Sequence, residues 1–273
     1  MRKNILLLLL LLFSPMLFAQ DLVILYTNDF HSNIEPAASG ENAGIGGYQR
    51  IANYVDHVRA DHPNVILLDA GDYNQGTPYY TLFKGEMEVK LLNALKYDAA
   101  AIGNHEFDDG QQALADRLKK ATYSTLCSNY DFSKSPLNDM VKPYVIIEKG
   151  GKKIGVIGAT LNIDGVVAAV GRKDIVYNPP IPIVNKLAKS LKKREKCDIV
   201  ILLSHLGYGE GSMVRPGDIL VAKKSKDIDI IIGGHTHTYL ATPTIVPNQA
   251  GKPVIVTQAG SSGVNVGRLD ITF

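Results

Sequence analysis

The 273-residue sequence is short of several things at once. It has only two cysteines, Cys127 and Cys197, too few for a disulfide framework. They either pair in an oxidising compartment or stay as buried free thiols, and the sequence alone leaves both open. It lacks any excess of charge of one sign: 29 basic residues face 27 acidic ones. A near-neutral chain has no basic surface for a phosphate backbone, so nucleic-acid binding is not expected. The Lys-rich stretch from Lys186 to Lys196 interleaves with Leu187, Ala188 and Leu191, which reads as the solvated face of an amphipathic helix. Glycine and proline do not cluster, so no long disordered linker is expected, and there is no internal repeat. After residue 20 no segment is apolar for long enough to span a membrane.

The first nineteen residues differ from the rest. Arg2 and Lys3 precede an unbroken apolar run from Ile5 to Phe13, and Leu17-Phe18-Ala19 closes it on a small residue. This is the layout of a cleaved secretory signal, residues 1–19, and the run is too short for a membrane anchor. No cysteine follows the run, so no lipid anchor is expected. Its removal takes Arg2 and Lys3 with it and brings the formal net charge from +2 to zero. The mature chain, residues 20–273, is expected to be periplasmic or secreted, with no stable membrane anchor.

Short apolar runs at Leu22 to Tyr26, Val65 to Leu68, Ala99 to Ile102, Ile154 to Ile157, Ile199 to Leu203 and Ile228 to Ile232 predict buried strands. Helical spacing predicts helices over Tyr48 to Arg59, Val89 to Leu95 and Gln111 to Leu118. Tyr144 to Ile157 reads as a hairpin about Gly150-Gly151, and Val254 to Gln258 and Val264 to Ile271 read as closing strands. Alternating strands and helices with added hairpins predict a layered α/β sandwich in one domain.

Polar residues able to bind a metal stand directly after five of these strands. They are Thr27-Asn28-Asp29-Phe30-His31, Asp69-Ala70-Gly71-Asp72, Gly103-Asn104-His105-Glu106, Ser204-His205 and Gly233-Gly234-His235-Thr236-His237. Loops at the carboxyl ends of strands converge on one rim in open α/β folds. The rim would then carry Asp29, His31, Asp72, Asn104, His205, His235 and His237. Imidazole, carboxylate and amide oxygens together suit Zn, Mn, Fe or Mg, and seven ligands suit two ions sharing a carboxylate. Each piece alone has an ordinary explanation: Gly71-Asp72 as a turn, Asn104 as a helix N-cap. Their joint position after five strands is what favours metal. His57 and His62 fall in or beside a helical pattern and receive no role.

In order, Asp29-x-His31, Gly71-Asp72, Gly103-Asn104-His105-Glu106, His205 and Gly234-His235-x-His237 resemble the calcineurin-like metallophosphoesterase superfamily. Asn104-His105-Glu106-Phe107-Asp108 and Gly76-Thr77-Pro78-Tyr79-Tyr80 narrow the resemblance to the catalytic, N-terminal domain of exported 5′-nucleotidases and UDP-sugar hydrolases. The resemblance covers residues 21–273. It implies an α/β/β/α sandwich with a dinuclear metal site at the carboxyl ends of the strands. One ion would be held by Asp29, His31, Asp72 and His237, the other by Asp72, Asn104, His205 and His235. His105, oriented by Asp108, would act on the phosphate and leaving oxygen. The implied reaction is hydrolysis of phosphate monoesters, 5′-nucleotides foremost. The same core also suits cyclic nucleotide phosphodiesterase, UDP-sugar hydrolase and sulfur-ester chemistry. Some members carry Gln or Asn where this chain has His237, which bears on metal preference. The family's second domain, with its aromatic clamp for the base, is not in this sequence. The chain is therefore also readable as the catalytic subunit of a split nucleotidase, paired with a separate specificity-domain chain.

Overall fold

A computed structural model describes residues 21–273; the expected signal segment lies outside the described residues. The chain runs β1 (Leu22–Thr27), α1 (Tyr48–Asp61), β2 (Val65–Asp69), α2 (Pro78–Phe83), α3 (Glu86–Ala94) and β3 (Ala99–Ala101). A short 3₁₀ turn at His105–Phe107 leads into α4 (Gln111–Leu118), β4 (Ser124–Leu126), β5 (Tyr130–Asp131), β6 (Val141–Lys142), β7 (Tyr144–Lys149) and β8 (Lys152–Thr160). Then follow α5 (Ala169–Arg172), β9 (Val176–Tyr177), α6 (Pro180–Lys193), β10 (Ile199–His205) and α7 (Asp218–Lys224). The last strands are β11 (Ile230–Gly233), β12 (Thr244–Pro247), β13 (Pro253–Thr257) and β14 (Gly267–Ile271).

Two six-stranded sheets result, ordered β14-β1-β2-β3-β4-β6 and β12-β13-β11-β10-β8-β7, with β5 and β9 as a separate pair. Period-2 alternation explains how they stack. Leu22, Ile24 and Tyr26 of β1 face Ile199, Ile201 and Leu203 of β10 across a continuous apolar core between the sheets. The alternate residues Val23 and Leu25 turn the other way and pack on Ile51, Val55 and Val58 of α1. On the far side, Val200 and Leu202 pack on Val184, Ala188 and Leu191 of α6. Both faces of the central strands are therefore buried, and the α/β/β/α order follows. Each fully buried Leu or Ile in these layers contributes about 1.5–3 kcal/mol.

Direction matters most for function. β1, β2, β3 and β4 run parallel, as do β8, β10, β11 and β13. Within each sheet the chain therefore leaves the core strands on the same side. The expected hairpin is present, with Lys149 paired to Lys152 across the Gly150-Gly151 turn. The Lys-rich stretch forms the outer face of α6, as its spacing predicts. Cys127 and Cys197 are both buried and unpaired, so the free-thiol alternative holds.

Candidate metal centre and active site

The seven expected ligand residues stand together at the carboxyl ends of both sheets. Three groups of donor atoms lie within 4.8 Å of one another: Asp29, His31 and His237; Asp72, His205 and His235; and His31, Asp72 and His105. Asn104 joins the second, its Oδ1 being 3.1 Å from Nδ1 of His235. Asp72 belongs to two groups, the position a shared carboxylate needs.

The local backbone departs from regular structure at these residues. Asp29, His31, Asp72, His235 and His237 all adopt positive φ, between 49° and 73°. Asp, Asn and His tolerate this left-handed region better than most residues, yet a cluster of five signals strain held in place by surrounding structure. Glycine makes the close approach feasible. A Cβ at Gly103 would collide with the Asp72 carboxylate, and one at Gly234 would lie 2.8 Å from Nδ1 of His205. His235 and His237 both sit in left-handed turns, and they serve different groups.

Whether these residues suit cations is testable on two nitrogen atoms. Nδ1 of His205 lies 2.8 Å from the carbonyl oxygen of Ala70, so that nitrogen carries the hydrogen. Nε2 is fully buried and has no hydrogen-bond partner of good geometry. It nevertheless points at Oδ2 of Asp72 from 3.0 Å. Two electron-rich atoms this close need a cation or an added proton between them. The same holds at His31, whose Nδ1 is 3.2 Å from the carbonyl of Gln75 while Nε2 faces Nε2 of His237 at 2.9 Å. The donor set fits divalent metal.

The electrostatics show how strongly these groups act on one another. Burial works against the charged His205 ring, but Asp72 and Asp29 hold it up at about 10. Burial likewise opposes charge on Asp72, yet His205 and His105 keep its carboxyl below the ordinary range. Burial and the neighbouring His205 push His235 down to about 4, and burial also lowers His31. Asp29 is raised, first by burial. Close acids and imidazoles thus pull one another in opposite directions, the pattern of a functional site.

His105 flanks the centre, its ring 5.3 Å from that of His31. Its Nδ1 is 2.7 Å from Oδ2 of Asp108, and that hydrogen bond is the main cause of its raised pKa. Its backbone N–H donates to Oδ1 of Asp72 at 2.8 Å. Asn104 precedes the 3₁₀ turn as a cap would, but its side chain makes no capping bond. The side chain turns to His235 instead, which decides between the two readings of that position. His57 pairs with Asp61 on the exposed side of α1, and His62 meets Arg268, both without a role at the centre.

Residues the sequence did not single out hold the centre in shape. Glu106 is fully buried and accepts backbone N–H groups from Asp72 at 2.9 Å, Asn74 at 3.2 Å and Gly103 at 2.6 Å. It therefore ties the loop carrying Asp72 to the loop carrying Asn104. Asn28 donates to Asp29 at 2.6 Å and to the carbonyl of Gly260. Gln258 donates to the carbonyl of Gly234 at 2.8 Å and accepts from Thr238 N–H, bracketing the loop of His235 and His237. Glu106 lies inside a noted motif, but nothing in its spacing separates it from an ordinary acid in a helix's first turn. Glu106→Ala should strand three buried donors at about 1–3 kcal/mol each. Thermal unfolding is expected to begin at least about 5 °C lower, given ~2–4 °C per kcal/mol for a chain this size. An unchanged melting temperature would remove Glu106 from this role.

Residues 22–239 match the sequence profile of the family described as calcineurin-like phosphoesterase. The snake venom 5′-nucleotidase of Gloydius brevicauda is 36% identical over 93% of this chain and 45% of its own length. Among solved structures, a 5′-nucleotidase precursor from Thermus thermophilus superposes with a TM-score of 0.84 at 34% identity, over 93% of this chain and 51% of that one. The NAD nucleotidase of Haemophilus influenzae gives 0.81 at 30% identity, over 93% and 47%. The chain spans about half the length of the curated relatives it matches.

Proposed function

This chain belongs to the calcineurin-like phosphoesterase family, and from that premise we propose that residues 20–273 are the catalytic domain of a two-metal hydrolase of phosphate monoesters. Its substrates are 5′-nucleotides, as the names of the relatives suggest. The composition of residues 1–19 supports a cleaved signal and action in the periplasm or outside the cell. The single observation that carries the reading is the buried Nε2 of His205 facing the Asp72 carboxylate at 3.0 Å, with Asp72 common to two donor groups.

Asp29, His31, Asp72 and His237 would hold one ion; Asp72, Asn104, His205 and His235 would hold the other. Such a pair, when bound, supplies water made nucleophilic near neutral pH and neutralises charge on the phosphate. The chain's own groups do the rest. The buried carboxylates and imidazoles are already in place, so the ions they would hold need no reorganisation as the phosphate arrives. Asp108 accepts from Nδ1 of His105 at 2.7 Å, which sets the ring's orientation and favours a proton on Nε2. That proton goes to the alcohol oxygen as its bond to phosphorus breaks, while the oxygen of water takes the opposite face of phosphorus.

The test is a substrate panel on metal-reconstituted protein, with elemental analysis of the same sample. AMP should be hydrolysed, about two equivalents of metal should be present, and chelation should abolish turnover until metal is restored. Metal should also raise the melting temperature, since a ligand at 1,000 times its Kd adds about 4 kcal/mol to stability. Activity untouched by exhaustive chelation would end the reading. A second reading has a separate domain supplying nucleoside recognition, and the half-length coverage of the relatives favours it. It predicts slow AMP hydrolysis by this chain alone and a large gain on adding that domain.

A further inference from the structure

Ser204 and Gly233 lie side by side at the ends of the parallel strands β10 and β11. Each leads at once into a residue of the centre, His205 directly and His235 after Gly234. Successive side chains of a strand point to opposite faces. His205 reaches the carbonyl of Ala70 in the other sheet, so Ser204 turns outward, toward α7. There its hydroxyl donates to Oδ1 of Asp218 at 2.5 Å. The Asp218 carboxyl is fully buried. Its other oxygen, Oδ2, has no hydrogen-bond partner and lies where a Cβ at Gly233 would go. Asp218 is thus set against both strand ends at once. The start of α7 holds it there: the N–H of Asp218 donates to the carbonyl of Gly207 at 2.8 Å, and that of Ile219 to Gly209 at 2.9 Å.

We propose that Asp218 is a positioning residue for one ion of the pair, the one assigned to Asp72, Asn104, His205 and His235. The assignment rests on the two-metal reading and adds a residue that stands behind the ligands. A buried carboxylate oxygen without a partner is costly, so an apolar residue would serve packing alone better. The carboxyl does what an apolar residue cannot. It holds the Ser204 end of β10 by a hydrogen bond while filling the space beside Gly233 of β11, and so sets the spacing of the two imidazoles that follow. Groups behind metal-binding imidazoles orient them in this way. The loops of Asp29 and Asp72 have a buried brace of their own in Asp69. It accepts from the Thr27 hydroxyl at 2.6 Å and from the N–H of Gly71 at 2.8 Å. Among the described residues Asp218 bonds to neither of those loops, so its effect should fall on one ion and spare the other.

The experiment measures bound against free manganese for the unmodified chain, Asp218→Ala, Asp218→Asn and Ser204→Ala, with the melting temperature of each taken metal-free. In Asp218→Ala one equivalent should bind about 10–100-fold more weakly, and the other within about threefold of its value in the unmodified chain. Asp218→Asn keeps the shape and an oxygen for Ser204, so it should recover most of that loss. Ser204→Ala removes the same hydrogen bond from the strand side and should weaken the same ion, which keeps the test open if Asp218→Ala does not fold. Anomalous scattering at limiting manganese should show the peak beside His205 and His235 depleted and the peak beside Asp29, His31 and His237 kept. A merely structural role would lower the metal-free melting temperature and weaken both ions alike, which would overturn the assignment. Depletion of the other peak, or Asp218→Asn no better than Asp218→Ala, would do the same. Two equivalents bound as tightly in every variant as in the unmodified chain would overturn it while leaving the metal centre intact. An unmodified chain that binds no manganese would overturn both together.

Discussion

Replacing Asp72 by Ala is expected to abolish turnover and to empty the centre of metal. Asp72 is the one carboxylate common to two donor groups among the described residues, and it is almost fully buried. Its Oδ2 faces His205 at 3.0 Å, and its Oδ1 takes the backbone N–H of His105 at 2.8 Å. Removing the carboxylate leaves too few anionic ligands for either ion and frees the turn carrying His105. Losing several kcal/mol of transition-state charge stabilisation corresponds to a rate reduced by about 10³-fold or more. Metal content measured on the same sample should fall with the rate. Asp72→Ala protein that keeps two equivalents of metal and most of its activity would contradict the shared-carboxylate assignment.

Replacing His105 by Ala should separate chemistry from metal binding. The ring flanks the centre, and Asp108 holds its Nδ1. As the group that protonates the departing alcohol, it should contribute about 10²–10⁴-fold to the rate. Metal content should stay near two equivalents, since the seven proposed ligands are untouched. Asp108→Asn should give a smaller loss in the same direction, because the ring remains while its orienting acceptor is weakened. The loss should also shrink for esters with good leaving groups, whose alcohols need less protonation. A near-normal rate for His105→Ala on nitrophenyl phosphate and AMP alike would remove the residue from the mechanism.

The centre was more legible in the sequence than its surroundings because metal ligands obey a positional rule. Asp29, Asp72, Asn104, His205 and His235 each follow a run apolar enough to be buried on both faces. Parallel strands then deliver their loops to one side. The predicted strands all form, and helix Gln111 to Leu118 has the expected bounds. What escaped is instructive. β4, with Ser124-Thr125-Leu126, and β6, with Val141-Lys142, are too short and too polar to show a period. They are strands because β3 offers an edge and tertiary pairing overrides local preference. α2 is six residues and α7 seven, below the length at which helical spacing stands out from chance. Nor does the pattern of β1, β2, β10 or β11 reveal which of the two sheets each joins, since all four are apolar on both faces.

Supporting residues were hidden for a different reason. Glu106 and Gln258 act on backbone groups that only the fold brings near. Glu106 serves loops from two strands, and Gln258 reaches a loop more than twenty residues earlier in the chain. No local spacing encodes such a contact. The backbone at His235 and His237 was equally hidden, because nothing local in Gly234-His235-Thr236-His237 encodes two left-handed residues. Positive φ at both turns them to separate groups.

Anomalous scattering from crystals of manganese-loaded protein tests the central claim most directly. Two peaks are expected about 3.5–4 Å apart. One should lie within bonding reach of Asp29, His31 and His237, the other of Asn104, His205 and His235, with Asp72 touching both. A single peak, or peaks away from these side chains, would contradict the account.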